Sequence, residues 1–288
     1  MSEDIGLRLG IVPLRPLSVP DLLRGALDAV RRHPGALLGI GFAVAVVGEL
    51  AARLAVLLAF GGDPAGLDLT GHPGSAFPPF AASLLRTAAF GLVGIVLAAV
   101  VNTVVPRAVF GHTTRASAAL RAGSPSMPAL LGVAVLTGLL VGLAAGMAAL
   151  GALAVAISPL GLVLALPPLG LMLYLSVVLL LAPPVAVVER LGPVAALRRS
   201  RELVHDGAGG WWRVFGVALI ASLVGLALKV AVYSVFDAIS GGTAFADALG
   251  AILVGTLVTP WTLALHALLY VDARYRVEGS EGLWRAAG

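Results

Sequence analysis

Cysteine is absent from the 288 residues, which excludes disulfides, thiol catalysis and thiolate metal ligands. Charge is scarce as well: Asp, Glu, Lys and Arg make up 12% of the chain, and aromatic residues 6%. A soluble domain carries about 25% charged residues, so this composition does not provide a water-facing surface. Lysine occurs once, at Lys229, against eighteen arginines. What fills the space is apolar, at 59% hydrophobic residues and a mean hydropathy of +1.01, and the lipid bilayer becomes the expected solvent.

Hydropathy and the Gly/Pro breaks place six apolar spans at 35–60, 80–106, 128–157, 160–182, 211–236 and 245–271. Each exceeds the roughly 20 residues that cross about 30 Å of hydrocarbon. None of the nineteen cationic residues falls in the three connections on one side, whose only charges, taking Asp237 and Asp247 with the last loop, are Asp63, Asp68, Asp237 and Asp247. Sixteen fall on the other side, counting Arg213 at the edge of its span. Cationic segments near span ends stay in the cytoplasm, so both termini are expected inside. The domain reading is a cytoplasmic segment 1–34, a six-span membrane domain 35–272 and a cytoplasmic tail 273–288. The sequence pI near 10.1 reflects arginines gathered at membrane edges, which points to anionic lipid headgroups as partner rather than to nucleic acid. The first apolar run, 26 residues long, exceeds the roughly 7 to 15 of a secretory signal core and reads as a span.

Ser18-Val19-Pro20-Asp21 has the form of a capping box, followed by Leu22, Leu23, Ala26, Leu27 and Val30 at helical spacing with Arg24, Asp28, Arg31 and Arg32 opposite. Two settings suit that helix: the membrane interface, or packing on the protein's own loops. Leu23-Arg24-Gly25-Ala26-Leu27, Ala118-Ala119-Leu120-Arg121 and Ala195-Ala196-Leu197-Arg198-Arg199 stand before the first, third and fifth spans. They suggest three parallel repeats, each a cytoplasmic amphipathic helix followed by a hairpin of two spans. The expected fold is therefore an all-α, six-span membrane protein with both termini inside.

Several stretches carry a family likeness: Leu181-Ala182-Pro183-Pro184, Val188-Glu189-Arg190-Leu191-Gly192-Pro193, Ala196-Leu197-Arg198-Arg199-Ser200, Trp212-Arg213-Val214-Phe215-Gly216 and Leu269-Tyr270-Val271-Asp272-Ala273-Arg274, with Pro16-Leu17-Ser18 at the start. In these the chain resembles bacterial multi-span proteins classed with the membrane domain of glycerophosphoryl diester phosphodiesterases. The resemblance implies an inner-membrane protein of actinobacterial type. It does not extend to the phosphodiesterase catalytic domain, whose His-Arg and acidic metal-binding residues have no counterpart here.

Catalysis needs convergent polar residues, and the five histidines are scattered without metal-ligand spacing, so no catalytic residue, metal or cofactor is expected. His266, the one histidine inside a span, reads as an interhelical hydrogen-bond donor with Asn102 as a partner. Gly138, Gly142 and Gly146 form a small-residue stripe suited to close helix packing, in the bundle or at a dimer seam. Pro167-Pro168 and Pro260 are expected to kink their spans. Arg198, Arg199 and Arg201, with Trp211, Trp212 and Arg213, suggest a cytoplasmic surface for anionic lipid or a partner protein.

The ionisable groups well inside the spans, besides His266, are Glu49, Arg53, Arg86 and Lys229, all placed in the outer half by the helical rise. They read either as an ion pair beside two snorkelling cations or as one outward-opening polar cavity for an anionic group. The function expected is a non-enzymatic inner-membrane accessory or scaffold in an envelope assembly, touching anionic lipid. Its partners would be proteins of a membrane complex or a second copy of the chain. The rival is a small carrier or exporter for an anionic or lipid-like substrate.

Overall fold

The computed structural model describes residues 10–12, 16–61, 77–155, 158, 160–206, 210–240 and 243–287. Among them every element is helical and no strand occurs. The order is α1 (Val19–Arg32), a π-helical turn (Gly35–Gly39) leading into α2 (Ile40–Phe60), α3 (Phe77–Val109), and α4 (Ala116–Gly123), which passes through a short 3-10 turn into α5 (Met127–Val155). Then come α6 (Leu160–Val178), α7 (Ala182–Val188), α8 (Pro193–Asp206), α9 (Gly210–Ser240) and α10 (Ala244–Ala287). Six stretches are long and apolar enough to cross a membrane: Gly35–Phe60, Ala81–Val109, Ala116–Ala152, Gly161–Val188, Gly210–Ile239 and Phe245–Gly279. The chain is a multi-pass helical membrane protein. The Gly/Pro-rich connection at 62–76 and the Gly241-Gly242 turn lie outside the described residues.

The two ends of the bundle differ. At the arginine-rich end, where α1, α4 and α8 sit, buried apolar side chains from 97–109, 179–187 and 264–273 form one core. Toward the opposite end leucines such as Leu58, Leu139, Leu150 and Leu164 are exposed, the surface that hydrocarbon covers in a membrane. α1 begins with the capping box, Ser18 and Asp21 exchanging side-chain to backbone hydrogen bonds. Its apolar face, Leu22, Ala26 and Ala29, is fully buried and the helix packs on α10. Protein therefore takes the place of the membrane interface on that face. Residues 10–12 go further inward: Ile11 and Val12 are buried, and the Ile11 N–H donates to the Ala108 carbonyl (3.3 Å).

One other expectation, close packing of the glycine stripe within the bundle, is corrected. Gly138, Gly142 and Gly146 pack against no helix of this chain, for a Cβ added at any of them meets nothing within 4 Å. Close approach falls instead at Gly151, where an added Cβ would lie 2.6 Å from the Ala165 backbone. Pro167 and Pro168 lie inside α6 and Pro260 inside α10, each helix continuing past its prolines.

Gly151→Leu should therefore force α5 and α6 apart and lower stability in detergent by about 1–3 kcal/mol, measured by thermal unfolding, while Gly146→Leu leaves the midpoint unchanged. Equal losses in both variants would instead place a second copy of the chain on the Gly146 stripe.

Candidate functional site

The densest polar structure is at the arginine-rich end and centres on residues 270–278 of α10, just before the helix breaks at Gly279. Asp272 is 2% exposed. Its carboxylate accepts from the Leu17 N–H (2.8 Å), from Arg213 Nη2 (2.8 Å) and from Arg276 Nε (3.0 Å). Arg213 and Arg276 also both donate to the Leu17 carbonyl. One buried carboxylate thereby ties the segment before α1, the start of α9 and the 272–276 stretch of α10. A buried charge is tolerated where its lone pairs are satisfied by charged donors, and this one has two guanidinium groups.

A second cluster lies one turn away. The Glu189 carboxylate, just past α7, accepts from the Tyr270 hydroxyl (2.9 Å) and Arg199 Nε (3.3 Å). Arg199 also pairs with Glu278, which accepts from Arg274 Nε (2.9 Å), and Arg274 Nη1 donates to the Tyr270 hydroxyl (3.0 Å). Burial by itself would lower the Arg199 pKa, but the charges of Glu189 and Glu278 outweigh it and hold the group above the ordinary arginine value. The helix of α10 thus runs past the predicted span end at 271 and is held there, so 273–278 is not a loose tail.

This changes the surface expected from the arginine cluster. Arg199 and Arg213 are committed to carboxylates, and Trp211 stacks on Phe215 (5.0 Å, 8° between planes). Arg198, Arg201 and Trp212, the last 75% exposed, keep an outward face. α8 turns Ala196, Ser200, Leu203 and Val204 inward, with the Ser200 hydroxyl donating to the Val178 carbonyl (2.6 Å).

Nearer the middle of the bundle lies a cavity of about 670 Å³ lined by α3, α5, α6 and α10. Gly91, Gly138 and Gly142 leave room for it, and His266, Thr137 and Ser176 supply its polar groups. His266 and Asn102, expected to pair, share no hydrogen bond. Asn102 is 1% exposed with both amide atoms unpaired, and the Thr137 hydroxyl is unpaired as well. Each such buried orphan costs about 1–3 kcal/mol. The sequence signal for this cavity was the glycine stripe, whose missing side chains were assigned to a neighbouring helix rather than to open space.

The outer charged residues fall as follows. Glu49 and Arg53 form an ion pair (2.6 Å). Gly48 sits against the Phe90 ring, and one turn farther along each helix, toward the same end, come Arg53 and Arg86. Tyr233 lies within electrostatic range of Glu49, Asp247 and Arg53. Lys229, one turn before Tyr233, is exposed and makes no ion pair among the described residues. Among those residues no group of three or more His, Asp or Glu could hold a metal ion. In comparisons with known proteins no family model matches the chain, and neither a curated protein nor a solved structure matches it.

Proposed function

We propose that the chain is a non-enzymatic component of a bacterial cytoplasmic membrane, an accessory or scaffold in an envelope assembly that holds lipid in contact with its surface. Its six spans form three pairs, introduced on the cytoplasmic side by α1, α4 and α8, with both termini inside. The observation that carries this reading is the closure of the arginine-rich end: a continuous apolar core capped by the Asp272 and Glu189 ion-pair clusters. A carrier needs a polar path that opens to that side, and an apolar, cross-linked core there favours a static role. The mid-bundle cavity, apolar but for a few polar side chains, of which the Thr137 hydroxyl is unpaired, suits part of a lipid better than a soluble ion.

A second reading, the carrier, is favoured by one observation, the gathering of Glu49, Arg53 and Arg86 at one level of the outer half. The two separate at Thr137, which lines the cavity. In the otherwise cysteine-free chain, Thr137→Cys should resist an impermeant thiol reagent applied from the cytoplasmic side of inverted vesicles. Labelling from that side in one population and from the opposite side in another would establish alternating access and replace the scaffold with the carrier.

A further inference from the structure

We propose that the arginine-rich end carries a phosphate-ester site formed by Arg121, Arg190, Ser126 and the start of α8. The proposal rests on the lipid-contact reading above and names the group that is held. These residues line a cavity of about 660 Å³ between the α4–α5 junction, α7 and α8. No acidic side chain lines it. Unlike Arg199, Arg213, Arg274 and Arg276, which are spent on carboxylates, Arg121 and Arg190 are exposed and pair with no carboxylate among the described residues. Ser126 is 9% exposed, and its hydroxyl has no hydrogen-bond partner among those residues.

The backbone provides a further reason. Arg190 has φ 52°, the single non-glycine residue in the left-handed region among those described, a conformation that L-residues adopt at a cost. The reversal separates neighbours: Glu189 faces Tyr270 and Arg199, while Arg190 lines the cavity. Gly192 and Pro193 at the cavity wall open the 14-residue α8, whose N-terminal end adds positive potential where an anion would sit. Two guanidinium forks, a hydroxyl and a helix N-terminus are the donors that phosphate oxygens take.

The test uses the full chain in an uncharged detergent, with native mass spectrometry after adding dioleoylphosphatidylglycerol or dioleoylphosphatidylcholine, and calorimetry with glycerol 3-phosphate. The wild type should retain phosphatidylglycerol over phosphatidylcholine. Arg121→Gln with Arg190→Gly should weaken that retention about tenfold, Ser126→Ala by a smaller factor, and the distant Arg31→Gln not at all. Glycine accepts the left-handed φ, so loss in that variant is not misfolding; an unchanged thermal midpoint checks this.

Glycerol 3-phosphate bound by the wild type and lost in the same double variant, with no lipid preference, would keep the site and identify a soluble ester as its ligand. Retention that survives the double variant but falls in Arg198→Gln with Arg201→Gln would overturn the site and leave the lipid-contact reading intact. A wild type with no preference for phosphatidylglycerol and no glycerol 3-phosphate binding would overturn both.

Discussion

Asp272→Asn should destabilise the protein by about 3 kcal/mol or more, the cost typical of removing one partner from a buried ion pair. The amide oxygen can still accept from the Leu17 N–H, but Arg213 and Arg276, both less than a quarter exposed, lose the carboxylate that neutralises them. The loss should be seen in two ways. The thermal midpoint in detergent falls, and an N-terminal tag is removed faster by protease, because the hydrogen bonds that fix Leu17 involve Asp272, Arg213 and Arg276. Replacing all three charges together, with Asp272→Leu, Arg213→Met and Arg276→Met, should recover much of the stability, since no unpaired charge then stays buried. A single Asp272→Asn variant as stable as the wild type, with its tag equally protected, would mean that the three strands of chain are held by apolar packing alone.

The six spans were legible because hydrocarbon imposes long apolar runs, and the capping box of α1 because Ser18 and Asp21 are local in sequence. The ion-pair clusters were not. Glu189, Arg199 and Glu278 meet only after folding, across 79 residues between Arg199 and Glu278, and hydropathy treats every charge beyond a span as a tail. A local sign was present: Asp272 with Arg276 and Arg274 with Glu278 each stand four apart, the spacing of paired side chains on one helix. Arg199 and Arg213 were read as lipid contacts because a charge-bias rule counts cations without asking which are already neutralised. Gly138, Gly142 and Gly146 have no close helix of this chain for a related reason, since a missing side chain permits a close neighbour without supplying one. Gly151, outside the every-fourth pattern, is where the close approach occurs.

All of this rests on which way the closed end faces, and labelling decides it. Ser117, at the start of α4, and Asp237, near the end of α9, are both exposed and lie at opposite ends of the bundle. The native chain contributes no thiol background. In intact spheroplasts, Asp237→Cys should react with an impermeant thiol reagent, and Ser117→Cys should react only after the membrane is permeabilised, because arginine-bearing segments stay in the cytoplasm. Labelling of Ser117→Cys in intact spheroplasts with Asp237→Cys protected would put the ion-paired end outside and contradict the account.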